Sequence, residues 1–343
     1  MQTVRLADRE ATLDRVGACL LGAAVVWTVA TAAIAGGRPG PVVLILVATG
    51  AAFAAGRVVG VAEPRFVPAA IGGICVLLAA IYLRQNIAGK ALGGPLQYSN
   101  ASAALYLQGT IAALVLATVR PGPGRAAGLI GAAILGCATL VADSRATDAL
   151  LLLPVVALFL RRPADVRSGL MTFAGLLVAA LLLTVTLGAT APAGVRHDRG
   201  LDSVDTALSG NRLALWHDAM TLIGEHPVSG VGPGRFQFES PTARSDRDLR
   251  WAHNGFLQQG AEQGLVGLFL TLALFLWVFV RLGVSPTADR TCALAGAAVG
   301  ALGIQACVDY LLHFPALPIA AAALAGSVIS SSSPRWFPEV ASA

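Results

Sequence analysis

His253-Asn254 is followed after nine residues by Gly264 and after two more by Gly267. Near neutral pH histidine is the side chain best suited to take and return a proton. On an uninterrupted α-helix of about 3.6 residues per turn, His253, Gly260, Gly264 and Gly267 fall within about 60° of one face. Small residues at such positions let a second helix approach closely. The pattern places His253, a candidate proton-transfer residue, at the end of a tightly packed seam, with Glu262 facing nearly the opposite way. The plain alternative is a helix-end histidine held by interfacial hydrogen bonds.

Cationic groups that could hold an anion lie just upstream. Asn211 is placed to cap a helix that begins at Arg212, and Leu208, Leu215, Trp216, Ala219, Met220 and Ile223 recur at three and four. That spacing predicts an amphipathic helix over about 212–224, lying on the membrane surface or over the rest of the protein. Arg212, one turn before Trp216, then sits along its buried edge; a guanidinium that merely snorkels to the interface is the competing reading. Pro227–Phe236 packs three glycines and two prolines into ten residues. It looks like a phosphate-cradling loop only superficially, because no strand precedes it, and it reads better as a tight turn presenting Arg235 and Phe236. Arg250 lies three residues before His253.

The elements that must position these groups are membrane helices. Hydrophobic residues make up 56% of the 343-residue chain and charged ones only 13%, about half the charge of a soluble domain. Continuous apolar runs recur, without the period-two alternation of a barrel. They are Val16–Gly37, Val42–Ala62, Phe66–Leu83, Ala91–Val119, Ala126–Ala142, Ala146–Leu160, Ser168–Val195, Gln263–Val280, Thr291–Val308 and Phe314–Pro334. An all-α, polytopic bundle of about ten spans follows, as a single membrane domain over 1–343 with one large polar loop over 191–252. The short apolar run and small-residue end of a cleaved signal do not fit the 22-residue first run, which reads as a retained helix. All five cysteines fall inside the runs and show no metal spacing, as packing residues would. The net charge of +5 comes from 23 Arg and one Lys without basic clusters interleaved with aromatics, so nucleic acid is not an expected partner. Thirteen arginines fall on the side of the N-terminus, against three arginines and Lys90 in the short loops opposite. The positive-inside rule then places both termini in the cytoplasm and the 191–252 loop outside. His197, His217, His226, His253 and His313 all come to that outer face or its edge, with Asp143, Arg145 and Asp309.

Read in order, Arg212-Leu-x-x-Trp216, then Pro227-x-x-Gly230-x-Gly232-x-Gly-x-Phe236, then His253-Asn254-(nine)-Gly264-x-x-Gly267 resembles the O-antigen ligase and polymerase superfamily of bacterial membrane proteins. Tyr98-Ser-Asn100 and Ser144-Arg145 agree with the pattern upstream, so the resemblance covers most of Gly93–Gly326. It implies a fold similar to GT-C-type glycosyltransferases, an undecaprenyl-diphosphate-linked glycan as donor, no cofactor and, in ligases, no metal. It also implies that Arg145 and Arg212 bind the diphosphate; Arg235 and Arg250 join them only by nearness in sequence. Asn254, Gly264, Gly267 and Trp216 carry over as structural motif residues. The chain departs from the family in being short, with about ten spans where twelve are common.

The implied reaction is glycosyl transfer onto a hydroxyl of an envelope glycan or glycolipid at the outer face of the cytoplasmic membrane. His253 would take the hydroxyl proton, and the arginines would stabilise the departing diphosphate. A direct displacement inverts the anomeric centre. A surface-polysaccharide polymerase differs only in its acceptor. A polysaccharide transporter needs mid-membrane ionisable residues, which are nearly absent here; a non-catalytic envelope scaffold is the remaining alternative. The topology has its own test. Cysteines placed at Ser203 and Ser245 should react with an impermeant reagent in intact cells; reaction only after lysis would refute the outer location of the loop.

Overall fold

The computed structural model describes residues 2–87, 93–119, 122–142, 144–191, 210–246, 249–285 and 288–331. Lys90, Asp143, His197, Ser203 and Leu208 lie outside that set, as does most of the first part of the polar loop. The described residues form helices and no strand: α1 (Gln2–Ala35), α2 (Gly40–Ala62), α3 (Phe66–Ile87), α4 (Ser99–Val119), α5 (Pro123–Val141), α6 (Arg145–Leu150), α7 (Leu152–Phe159), α8 (Pro163–Thr190), α9 (Gly210–Glu225), α10 (Phe236–Glu239), α11 (Pro241–Ser245), α12 (Gly255–Gly283), α13 (Arg290–Ala306) and α14 (Ala316–Ser331). Backbone groups that must be satisfied within lipid are satisfied internally by a helix, which is why apolar runs of this length take that form. The protein is a polytopic, all-helical membrane protein.

Among the described residues seven helices are long and apolar enough to cross a membrane: α1, α2, α3, α4, α5, α8 and α12. The three other expected spans are shorter. Helices α13 and α14 have 17 and 16 residues. The run Ala146–Leu160 is divided into α6 and α7. Pro154 explains the division: it has no N–H to give to the carbonyl of Leu150, where α6 ends, and its ring crowds that carbonyl.

Two helices are wrapped by the others. Helix α13 packs against α4, α7, α8, α12 and α14, and nearly all of it is buried. Its alanines and glycines make that possible, since a Cβ at Gly296 would stand 2.1 Å from Leu170 Cδ2. Helix α4 is buried over most of its length, and its Gln108 Nε2 donates to Ala298 O of α13 at 2.9 Å. Helices α2 and α14 approach backbone to backbone, where Cβ atoms at Gly56 and Gly60 would meet Ala323 O and Ser327 O, both at 2.3 Å. At the end of the bundle away from α9, Arg281 is buried and donates to Asp14 at 2.8 Å and Glu10 at 3.4 Å, and Arg57 also pairs with Asp14.

The glycines after His253 have a different use from the expected seam. The helix starts at Gly255, so His253 lies before it, and Gly264 breaks the helical path with φ 70° and ψ −175°. No side-chain-bearing residue adopts that conformation cheaply. The break frees the carbonyls of Ala261 and Glu262, which accept from Val231 N and Gly232 N, both at 2.9 Å, while Leu265 N donates to Pro227 O at 2.8 Å. The partner of Gly264 is therefore the Pro227–Phe236 turn, whose Val228 O would stand 1.9 Å from a Cβ there; Gly260 faces Ile223 of α9. Gly264→Ala should destabilise the protein by roughly 3 kcal/mol or more through conformation and clash together. A thermal-unfolding midpoint unchanged from wild type would contradict this role.

Candidate active site

Asp309 follows α13 and is almost wholly buried, its side chain 4% exposed. Four donors from three stretches of chain converge on its carboxylate. Oδ2 accepts from Tyr98 OH and from Asn100 Nδ2, both at 2.7 Å, and Oδ1 accepts from its neighbour Tyr310 N at 2.8 Å and from His253 Nδ1 at 3.2 Å. Arg212 of α9 reaches in as well, with Nη2 at 3.9 Å from Oδ2 and Nη1 donating to Val308 O at 2.9 Å. Burial alone would raise the Asp309 pKa. The hydrogen bond from His253, the Arg212 charge and the Tyr98 hydroxyl override that and hold it below the ordinary carboxylate value.

An ionised carboxylate only accepts, so the proton of a neutral His253 sits on Nδ1. Nε2, which makes no hydrogen bond among the described residues, is left as a base. The backbone around His253 is fixed from two sides. Its φ is 48°, a costly value for a non-glycine residue. Trp216 Nε1 donates to its carbonyl at 3.3 Å. Asn254 follows as the N-cap of α12, accepting from Phe256 N at 3.1 Å and Leu257 N at 2.9 Å and donating to Thr184 Oγ1 of α8 at 3.0 Å.

Helix α9 packs against α8, α12 and α11. It starts at Gly210, so Asn211 falls inside it instead of capping it. Leu215, Trp216, Ala219, Leu222 and Ile223 form a small second core with Val231, Phe236, Ala252, Leu257 and Ala261. Asp218 ties its outer side down by accepting from Ser240 Oγ at 2.5 Å and Thr242 N at 2.8 Å. Glu262 occupies the N–H groups of the glycine turn, accepting from Gly234 N at 2.8 Å and Phe236 N at 3.3 Å. Those donors are thus committed within the protein, as a structural turn requires.

The remaining arginines separate. Arg235 caps no helix with its side chain; it pairs with Glu239 at 2.5 Å and donates to Ala35 O of α1 at 3.2 Å, away from Asp309. Arg250 is exposed, and its charge acts on Tyr310. Arg145 is exposed at the start of α6, a helix joined to the Asp309 end of α13 by Gln305 Nε2 donating to Thr147 Oγ1 at 2.6 Å. The atoms nearest to a Cβ at Gly267 belong to its own helix, at Gln263 and Gln259. Among the described residues no three His, Cys, Asp or Glu side chains gather as a cation-binding group.

Sequence reasoning placed Asp309 at the outer face but gave it no role, and it missed the aromatic wall beside it. Tyr98 stacks on Tyr310 at 4.9 Å, Trp251 lies 4.2 Å from His313, and His253 meets the Tyr310 ring edge-on at 4.9 Å. A lone acid between two apolar runs, followed at once by Tyr310 and then by His313, was the available signal.

Residues 130–272 match the family described as O-antigen ligase. This segment is therefore similar to the O-antigen ligase superfamily. The match takes in His253, Arg145, Arg212 and Trp216. Tyr98, Asn100 and Asp309 lie outside it and reach the site through the fold. No curated protein matches the chain. The likeness and the apolar helices agree with a membrane protein similar to O-antigen ligases.

Two half-buried histidines, His253 and His313, lie at this end. Desolvation under Trp251 pushes His313 from 6.5 down to about 4, against a small opposing effect of the Tyr310 carbonyl. Its Nδ1 lies 3.2 Å from Tyr310 O and its Nε2 3.4 Å from Gln258 Nε2, so both nitrogens are occupied. The unfolded chain binds a proton here between pH 6.5 and about 4 while the folded one does not. Stability contributed by the neutral ring is therefore full above that window and lost as pH falls through it. The loss reaches roughly 3 kcal/mol at the lower end. His313→Gln should flatten the fall of the unfolding midpoint between pH 6.5 and 4; an unchanged acid limb would show that His313 is not held neutral.

Proposed function

We propose that this protein belongs to the O-antigen ligase superfamily and is a glycosyltransferase that moves a glycan from undecaprenyl diphosphate to a hydroxyl on an envelope glycan or glycolipid. The α9 end of the bundle would face outward from the cytoplasmic membrane, with both termini inside. The observation that carries the reading is the ionised Asp309 beneath His253 Nδ1, with Nε2 free and Arg212 alongside.

In this reaction Nε2 takes the acceptor O–H proton as the acceptor oxygen bonds to the anomeric carbon. The bond from that carbon to the diphosphate oxygen breaks, and undecaprenyl diphosphate leaves with the electron pair. The proton remains on His253 as an imidazolium, which the buried Asp309 stabilises. Arg212 and Arg145 hold the growing charge of the leaving group. A single displacement from the face opposite the leaving group inverts the sugar. Asp309 is a positioning residue, since it acts through the histidine. A polymerase would use the same residues with a second lipid-linked glycan as acceptor.

The test is transfer by purified protein given an undecaprenyl-diphosphate-linked glycan and, in separate reactions, a glycolipid or a lipid-linked glycan acceptor. Folded His253→Ala should lose roughly 10²–10⁴-fold in rate while still binding donor. Asp309→Asn should lower the maximal rate with little change in donor affinity, and Arg212→Lys should weaken donor use because an ammonium lacks the bidentate fork. Wild-type rates from folded His253→Ala would refute the base assignment and favour a scaffold.

A further inference from the structure

A groove of about 300 Å³ opens between α4, α5, α7 and α13, with Leu114, Leu129 and Leu158 on its walls and Arg125 and Arg290 among its lining. It is at the opposite end of α13 from Asp309, about 25 Å along 17 residues of helix, so it takes no part in the site above. Several other guanidinium groups at this end are engaged within the protein, whereas Arg161 and Arg162 are exposed. Arg57 pairs with Asp14, Arg65 with Glu63, and Arg281 with Asp14 and Glu10, while Arg167 donates to Gly283 O. Arg125 and Arg290 have no ion pair among the described residues. The Nε of Arg290 is buried without any hydrogen-bond partner, a costly state for a charged donor. The carboxylate next to it in sequence, Asp289, is occupied in capping α13, where it accepts from Thr291 N at 2.8 Å and Thr291 Oγ1 at 2.5 Å.

We infer that this groove binds the headgroup of an anionic phospholipid, its phosphate held by Arg125 and Arg290 and an acyl chain lying along the leucines. Basic pockets between membrane helices on the cytoplasmic side suit this class of ligand, and the positive-inside bias assigns this end to that side. Leu129 is 49% exposed, so the apolar wall is open to lipid rather than sealed. The lining includes no carboxylate to receive the ammonium of a zwitterionic headgroup, and net negative charge is therefore selected. Occupation would give the buried Arg290 Nε an acceptor.

Native mass spectrometry of the full-length protein, offered phosphatidylglycerol and phosphatidylcholine of matched chains in competition, reads the preference directly. Each arginine contributes about fivefold, so wild type should retain phosphatidylglycerol over phosphatidylcholine by roughly thirtyfold. The R125Q/R290Q protein should fall to within about twofold of no preference, and R125K/R290K should keep most of it. Leu129→Glu, at an exposed position, places an anion beside the headgroup and should lower the preference even if the double variant fails to fold. Inorganic phosphate should not displace the lipid. Equal retention of both lipids by wild type, undiminished preference in a folded R125Q/R290Q or Leu129→Glu protein, or displacement by inorganic phosphate would overturn the proposal.

Discussion

A carboxylate taken out of water must be met by donors or it does not stay ionised. Asp309 is met by Tyr98, Asn100, Tyr310 N and His253, with Arg212 as a further charge. The cost of burying it is therefore offset only when the start of α4, the end of α13, the approach to α12 and helix α9 all arrive together. The two wrapped helices bring the first two of these in fixed register, because α4 and α13 run antiparallel at the centre and are bonded through Gln108. The site is thus an outcome of helix packing in the middle of the bundle, and removal of the charge would leave several donors facing one another.

The break at Gly264 is the second constraint. An unbroken α12 would use its own Ala261 and Glu262 carbonyls; the broken one offers them to Val231 and Gly232. The glycine turn is thereby attached to the transmembrane helix, and α9 and the turn share one small core with Ala252 and Leu257 on either side of His253. That core fixes the backbone of His253 in a conformation it would not otherwise hold. Trp216, buried in the core, also bonds the histidine carbonyl. The motif residues Trp216, Asn254 and Gly264 therefore act on His253 by holding the chain on each side of it.

Much of this was legible in the sequence, and the failures have physical reasons. Apolar runs separated by charge are enough to locate helices, because lipid leaves few alternatives. They do not show which helices are central, so the wrapping of α4 and α13 was not anticipated, although the alanine and glycine content of α13 allows it. The small-residue seam was placed on α12, whereas the closest helix pair is made by Gly56 and Gly60 with Gly326. The calculation for α12 assumed 3.6 residues per turn throughout, and a glycine at positive φ invalidates it at one position. His253 was singled out from residue type and spacing, and Arg212 from the family resemblance. Their common partner was not, since Asp309 is 56 residues from His253 in sequence and only the fold joins them. Nearness in sequence grouped Arg235 and Arg250 with Arg212, yet Arg235 turns toward α1 and Glu239.

In the proposed reaction a diphosphate must come to Arg212 although Asp309, another anion, is already beside it. The geometry limits that conflict. The Arg212–Asp309 separation of 3.9 Å is longer than a hydrogen bond, so the pair is joined by charge rather than by a committed donor. Asp309 has four shorter bonds without it. Arg212 has five N–H donors, of which one is bonded to Val308 O. The guanidinium can therefore present a face to the donor while that one bond keeps it in place. Once the sugar has been transferred, the proton on His253 adds a second positive charge on the other side of Asp309. The carboxylate then separates two cations, and the leaving diphosphate is held by Arg212 while the imidazolium is held by Asp309. This arrangement matches each charge that the transfer creates with an opposite one already in position, so that little of the protein has to move as the bond breaks.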